Sequence, residues 1–387
     1  MALALVIAAG VGLGIRHVRS GGGDHHHARA GGTPPGPSAE RIRGPLHTEG
    51  ERLVDSSGAT VRLLGVDEPG MIAGTGAPSS EPDSCGNGWH APAADDAKDM
   101  RAMGFNSVRL GVSWANLEPQ APVGGRHIWN QAYLVALDQA IHRYQQAGIA
   151  VVLDLHQNNM SPAFRTPKPD RCEGAGLPAW LYPDTVNGPA KAQCDFFAGR
   201  GGALDGYVGV WKMLAARYAH EPAVVAADLF NEPRLKGCRD VSPMPAFRRM
   251  AAAVHGADPR LLVIYQDNPA RRGKNVLKGP LKVRNAVYSF HLYPTDWTEG
   301  KRLLEEHLAR AQQFGQPLWV GEFGAFRQHG RGAPVPASWP DQLRSMMAWT
   351  KQHNVSWAFH QFRGGGSGLI GPHGLRAEWL AGLRSGF

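Results

Sequence analysis

Short runs of apolar and β-branched residues recur along the chain, and a segment with apolar residues at helical spacing follows most of them. The runs are almost continuously apolar, which is typical of parallel strands that are covered on both faces. The pattern therefore predicts eight strands. They lie at 61–67, 107–114, 150–156, 224–231, 261–266, 286–293, 317–323 and 355–362.

The helical patterns alternate with these strands. They lie at 95–103, 130–146, 204–218, 244–255, 301–314, 339–353 and 375–384. The connection at 268–280 is short, and its sequence leaves the presence of a helix open. The alternation predicts an α/β fold, a single (β/α)8 TIM barrel with long βα loops. A doubly wound sheet is disfavoured, because no glycine-rich phosphate-binding motif follows the first strand.

The 387 residues divide into three predicted regions. Residues 1–19 begin with an apolar stretch that is short for a hydrocarbon core of about 30 Å, so we expect a signal peptide or a membrane anchor. Residues 20–45 are rich in Gly, Pro and His and predict a flexible linker, and 46–387 form the barrel domain. We expect a secreted or extracellular protein, either free or anchored through its N-terminus.

The chain contains four cysteines, and disulfides would be natural in an exported protein. None of the cysteines has the Cys-x-x-Cys spacing of a structural zinc site. Three pairings of Cys85, Cys172, Cys194 and Cys238 are possible, and the sequence does not choose among them. We favour Cys172 with Cys194, because both fall in one long loop.

Polar and aromatic residues interrupt the predicted strands near their carboxyl ends, where an apolar core would not need them. In a (β/α)8 barrel these ends meet at one mouth, which carries the active site. The residues are Asp67, Glu68, Arg109, Trp114, His156, Gln157, Asn231, Glu232, Gln266, Asp267, His291, Tyr293, Glu322, Trp357 and His360. A functional site is therefore predicted at this mouth.

Two of these residues, Glu232 and Glu322, end the fourth and seventh strands and face each other across the predicted mouth. Hydrolysis of a glycosidic bond requires such a pair: one carboxyl group protonates the leaving oxygen, and the other meets the positive charge on the sugar. A separation of about 5–5.5 Å would let the second attack directly and retain the configuration. Mutual repulsion is expected to raise the pKa of one of them, which then stays protonated as the acid.

Five motifs on the predicted strands resemble glycoside hydrolase family 5, which consists of retaining (β/α)8 glycosidases. They are Arg109, Leu155-His156, Asn231-Glu232-Pro233, His291-Leu292-Tyr293 and Gly321-Glu322-Phe323-Gly324. The resemblance covers about residues 50–385 and implies that Glu232 is the general acid/base and Glu322 the nucleophile.

The resemblance also implies roles for the neighbouring residues. Asn231 would bind the sugar 2-hydroxyl, Arg109 and Tyr293 would contact the nucleophile, and His156 and His291 would line the sugar subsite. The eighth strand departs from the family, which often has Trp-x-x-Trp with the later Trp as the floor under the reacting sugar. Here Trp357 matches the earlier aromatic and His360 stands at the floor position, so both are candidate substrate-binding residues.

The resemblance favours endo-action on a β-glucan or a related β-linked polysaccharide. We expect a monomer that needs no cofactor and no metal. The run 153–157 and the long loop after it are similar to the endoglycoceramidase branch, so a glycolipid substrate is the alternative. An inactive glycan-binding barrel is a remote alternative, because both carboxylates are present. A metal-dependent hydrolase is disfavoured, since the first strand lacks His-x-His. The net charge of +8 is spread without a long basic run, so we expect no nucleic-acid partner.

Overall fold

The computed structural model describes residues 36–72, 88–164, 166–168, 171–186, 188–235, 237–267, 276–324, 335–364 and 367–387. Eight parallel strands, β1–β8, close into a barrel in which each strand pairs with its neighbours in the chain and β8 pairs with β1. Their bounds are Leu64–Glu68, Ser107–Val112, Ala150–Leu155, Val224–Asp228, Leu262–Gln266, Ala286–Leu292, Leu318–Phe323 and Ser356–Phe359. The predicted (β/α)8 barrel is confirmed.

Helices cover the outside of the barrel. They are Asp96–Ala102, Trp114–Leu117, Gln131–Ala147, Gly188–Phe197, Ala203–Arg217, Met244–Ala257, Trp297–Phe314, Trp339–Gln352 and Ala377–Arg384. In the helix Gln131–Ala147, the Asn130 side chain accepts a hydrogen bond from the Tyr133 backbone N–H, and Gly148 ends the helix in the left-handed region with φ 69°. The sequence did not decide whether a helix lies between β5 and β6. The described residues of this connection, 276–285, form no helix.

Several shorter elements lie in the connections between these strands and helices. Turns of 3-10 helix lie at Gly70–Ile72, Pro162–Phe164 and Ala179–Leu181, and two-stranded hairpins pair Thr166–Lys168 with Arg171–Glu173 and Ile370–Gly371 with Gly374–Leu375.

A three-stranded antiparallel sheet closes the end of the barrel where the strands begin. Its strands are His47–Glu49, Arg52–Val54 and Thr60–Val61. Leu53 and Val61 share one buried cluster with Ala150 and Leu262, the first residues of β3 and β5. The prediction that the first barrel strand starts at residue 61 is wrong, because Val61 pairs with Leu53 in this sheet and β1 starts at Leu64.

A disulfide joins the long connection after β3 to the connection after β4. Cys194 bonds to Cys238, with 5.3 Å between their Cα atoms, so the expectation that Cys172 pairs with Cys194 is wrong. The neighbours of Cys194 explain the pairing: the rings of Phe196 and Phe197 lie 5.0 and 4.9 Å from that of Phe230. These contacts hold the helix Gly188–Phe197 against the end of β4, which closeness in sequence does not reveal.

The predicted signal or anchor at 1–19 lies outside the described residues, and so does the predicted linker apart from 36–45. In the parts of the chain that the structure describes, no helix combines the length and the apolar character that crossing a membrane requires.

Candidate active site

Glu232 and Glu322 meet at the mouth of the barrel and share one histidine. His291 Nδ1 lies 3.2 Å from Glu232 Oε1 and 3.3 Å from Glu322 Oε2. One oxygen of each carboxylate and one nitrogen of His291 all lie within 4.8 Å of one another. Inverting glycosidases need carboxyl groups about 6.5–9.5 Å apart to admit a water molecule between them and the sugar. The spacing in this site matches the retaining geometry.

Glu322 is held by two donors in addition to His291. Arg109 Nη1 donates a 2.7 Å hydrogen bond to Oε1, and the Tyr293 hydroxyl donates a 2.7 Å hydrogen bond to Oε2. Burial alone would raise the pKa of Glu322, but the charges of His291, His360 and Arg109 outweigh burial and hold this pKa well below its usual range. Glu322 is therefore ionised, as a nucleophile must be.

Arg109 is itself fixed by acids that lie deeper in the barrel. Its Nε donates a 2.9 Å hydrogen bond to Asp228 Oδ2, and its Nη2 lies 3.0 Å from Asp154 Oδ1. Burial alone would lower the pKa of Arg109, but these acids, Asp67 and Glu322 raise it well above its usual value. Asp154 and Asp228 were not among the predicted site residues, although an acid inside an otherwise apolar strand is a visible signal in the sequence.

The protonation of Glu232 differs from the expectation. Burial and repulsion by Glu322 do act to raise the pKa of Glu232, but the hydrogen bond and charge of His291, with the charge of Arg234, lower it to about 2. Burial alone would lower the pKa of His291, whereas Glu322 and Glu232 raise it to about 10. Both shifts favour a protonated His291 beside an ionised Glu232, and His291 Nδ1 lies 3.2 Å from Glu232 Oε1.

Asn231 and His156 belong to a network of hydrogen bonds next to Glu232. Asn231 Oδ1 accepts a 2.9 Å hydrogen bond from Arg109, and its Nδ2 donates to the backbone oxygen of Gln157 at 3.0 Å. The same Nδ2 lies 3.2 Å from His156 Nε2, while His156 Nδ1 lies 2.7 Å from Asp154 Oδ2. Protein groups thus occupy both ends of the Asn231 amide and fix its orientation at the mouth.

Trp357 does not reach the mouth, so its assignment as a substrate-binding residue is wrong. It is fully buried, and its ring packs on those of Phe105, Phe323 and Phe387 in the layer between strands and helices. Side chains alternate between the two faces of a strand, so a residue three positions later points the other way. That residue, His360, is 28% exposed.

His360 lies at the mouth beside the nucleophile. Its Nδ1 is 3.1 Å from Asp67 Oδ2, and its ring stands edge-on to that of Tyr293 at 6.2 Å. Burial raises the pKa of Asp67 to about 6, against the hydrogen bond from His360 and the charge of Arg109. A polar imidazole therefore stands where the family often has a tryptophan floor.

Among the described residues, two triplets of side chains bring one potential metal-ligand atom each within 4.8 Å of one another: Asp67, Glu322 and His360, and Glu232, His291 and Glu322. Both triplets contain Glu322, whose charge Arg109 already balances at 2.7 Å. A cation bound there would also face the guanidinium, so the charge balance of the site favours catalysis by the carboxylates themselves.

A parallel (β/α)8 barrel with a closely spaced carboxylate pair at the ends of β4 and β7 defines the class of the retaining barrel glycosidases. The sequence pattern of the cellulase family (glycosyl hydrolase family 5) matches residues 57–366 of this chain. The chain belongs to glycosyl hydrolase family 5.

Its relatives include enzymes that act on different substrates. The chain is 24% identical to an endoglucanase of Paenibacillus polymyxa over 251 residues, which cover 61% of this chain and 53% of that protein. It is 27% identical to endoglycoceramidase I of Rhodococcus hoagii (strain 103S) over 250 residues, or 58% of this chain and 46% of that protein. The chain spans about half the length of these two relatives.

The similarity to one solved structure covers more of this chain than the two sequence matches do. The crystal structure of an endogalactoceramidase superposes with a TM-score of 0.71 and 26% identity, covering 89% of this chain and 84% of that chain.

Proposed function

We propose that the protein is a retaining β-glycosidase that hydrolyses O-glycosyl bonds within a β-glucan or a related β-linked polysaccharide. The observation that carries this proposal is the carboxylate pair Glu232 and Glu322, with oxygens within 4.8 Å of each other and a shared histidine, His291. Membership of family 5 and the likeness to an endoglucanase support it.

In the first step, Glu322 attacks the anomeric carbon and forms a glycosyl ester as the bond to the leaving oxygen breaks. The proton passes from His291 Nδ1 across 3.2 Å to Glu232 and from Glu232 to the leaving oxygen, so Glu232 is a carboxylate and His291 is neutral once the ester has formed. Arg109 and Tyr293 keep Glu322 ionised and oriented until the ester forms.

In the second step, Glu232 acts as the base. It removes a proton from a water molecule, which attacks the anomeric carbon from the side that the leaving group vacated. The ester bond breaks, Glu322 is released as a carboxylate, and the sugar leaves with its original configuration. The tight hydrogen bonds to Glu322 favour its return to the ionised form.

A glycolipid is the second candidate substrate. The likeness to an endogalactoceramidase structure with a TM-score of 0.71, and to endoglycoceramidase I at 27% identity, favours it. A glycolipid hydrolase would use the same carboxylates, and only the part of the cleft that binds the leaving group would differ.

A substrate panel separates these possibilities. Purified protein is assayed on β-glucan, β-mannan, aryl β-glycosides and a glycosphingolipid, with Glu322→Ala as the matched inactive variant. Loss of the nucleophile should lower activity by about 10⁴-fold or more, and added azide should partly restore turnover and give a product of inverted configuration. EDTA should leave the rate unchanged. Wild-type rates in a folded Glu322→Ala protein would rule out this mechanism.

We further propose that the protein is exported as a monomer, with residues 1–19 as a signal or an anchor. The disulfide Cys194–Cys238 supports an oxidising compartment. Expression of the full chain, followed by fractionation into medium, membrane and cytoplasm and by analytical ultracentrifugation, tests both points. A reduced protein confined to the cytoplasm would contradict export.

A further inference from the structure

Arg234 covers the outer oxygen of the proposed acid/base. Its Nη2 lies 2.6 Å from Glu232 Oε2, while the other oxygen, Oε1, faces His291 Nδ1 on the buried side at 3.2 Å. Each oxygen of Glu232 therefore has a cationic partner, and both partners favour its ionised form. Departure of one partner makes Glu232 a better proton donor, and Arg234 is the freer of the two, since His291 is buried while the Arg234 side chain is 56% exposed.

The base of Arg234 is fixed, although its side chain is exposed. Its backbone N–H donates to Gln193 Oε1 in the helix Gly188–Phe197. The next residue of that helix, Cys194, forms the disulfide to Cys238, four residues beyond Arg234. The helix thus holds the backbone at Arg234 on both sides, and the guanidinium can leave Glu232 without a rearrangement of the loop.

The ion pair is partly exposed, because the Arg234 side chain is 56% exposed and the Glu232 side chain is 16% exposed. Its position indicates a role in substrate binding. Arg234 lies on the solvent side of Glu232, away from Glu322, and the proton donor of a retaining glycosidase acts on the leaving-group side of the scissile bond. An arginine there meets the aglycone, and its planar fork matches a carboxylate in a bidentate arrangement.

We infer that Arg234 is an aglycone-binding residue and that the preferred substrates are β-glycosides whose leaving part carries a carboxylate. This inference rests on the proposed function. A carboxylate on the aglycone would pair with Arg234 in place of Glu232, so that Glu232 Oε2 could face the glycosidic oxygen. A neutral aglycone would break the ion pair between Arg234 and Glu232 without offering Arg234 a new partner. The net charge of +8 acts in the same direction, since it attracts anionic substrates.

Two chromogenic substrates test this inference. A 4-nitrophenyl and a 3-carboxy-4-nitrophenyl β-glycoside are compared, both with the sugar that the wild-type enzyme hydrolyses fastest. We expect wild-type kcat/KM to be about 2–5-fold higher for the carboxylated substrate, and added NaCl to reduce this ratio. Arg234→Gln should lower the ratio to about one or below and raise kcat/KM on the neutral substrate, while Arg234→Lys should keep part of the preference.

The matched control is Arg249→Gln, which removes an exposed arginine that pairs with Asp205 at 2.5 Å, away from the mouth, and should keep the wild-type ratio. Equal rates on both substrates in the wild type, or an unchanged ratio in Arg234→Gln, would overturn the inference while leaving the proposed function intact. A folded wild-type enzyme that hydrolyses no β-glycoside would overturn the proposed function, and the inference with it.

Discussion

The Arg109 guanidinium donates a 2.7 Å hydrogen bond to Glu322, and neither side chain is more than 7% exposed. The same guanidinium also lies 2.8 Å from Asp228 and 3.0 Å from Asp154. Arg109 therefore holds the nucleophile in place and also compensates buried negative charge inside the barrel.

Removal of Arg109 should damage stability as well as catalysis. Arg109→Gln leaves buried carboxylates without their cation, and the expected loss in the free energy of unfolding is about 3–5 kcal/mol. The control Arg217→Gln breaks a surface pair with Asp138, whose side chain is 39% exposed, and should cost less than about 1 kcal/mol. Urea unfolding measures both values. Equal, small losses would contradict a structural role for Arg109.

The pH dependence of stability should report the proton on His291. Its pKa is raised to about 10 in the folded protein, so its stabilising contribution is complete below the ordinary histidine value of about 6.5 and disappears as the pH rises through about 10. The free energy of unfolding should fall by ~2 kcal/mol or more across this window.

His291→Gln should remove this fall, whereas His142→Gln, on an exposed helix face, should keep it. Urea unfolding at several pH values from 6 to 10 gives the comparison. A flat profile in the wild type would show that His291 is neutral in the folded protein.

The pair of Asp67 and His360 should behave as a unit. His360→Trp removes the hydrogen-bond partner of Asp67 Oδ2, and Asp67 Oδ1 is buried without a hydrogen bond, so we expect a cost of about 1–3 kcal/mol. Adding Asp67→Asn should recover part of this loss, because an amide carries no charge to compensate. A double-mutant cycle measured by urea unfolding gives the coupling, and strictly additive losses would argue against a direct interaction.

The disulfide should be a major source of stability. Cys194 and Cys238 are 44 residues apart, and closing a loop of this length in the unfolded chain is worth about 4 kcal/mol in the chain-entropy description. The double variant Cys194→Ser/Cys238→Ser should unfold at a markedly lower urea concentration than the wild type in the absence of reductant. An unchanged midpoint would indicate that the linkage does not form.

The sequence predicted the barrel because each strand is a continuous apolar run, and runs of this kind mark their own limits to within a few residues. The predicted start of β1 was wrong because Val61 lies close to the apolar run at Leu63–Leu64 in sequence but belongs to the antiparallel sheet. Glu232, Glu322, Arg109, His291 and Tyr293 were found because the strand ends of a barrel all meet at one mouth.

Other parts of the site depend on side-chain direction, which the residue pattern did not convey. Trp357 lies in β8 and His360 directly follows this strand, three residues later, so their side chains point to opposite sides and only one of them faces the mouth. Arg234 was missed because it lies in a loop, and only the path of that loop turns its guanidinium back onto Glu232. The pKa of Glu232 depends on His291 from another strand, and carboxylate repulsion considered alone gave the wrong direction.

The sheet under the barrel has a consequence for orientation. It joins the chain to the barrel at the end opposite Glu232 and Glu322, and Ala39, just before it, bonds to Gly104 at the same end. The chain therefore enters the barrel at its base, and the described N-terminal segment leaves the catalytic opening at the other end uncovered.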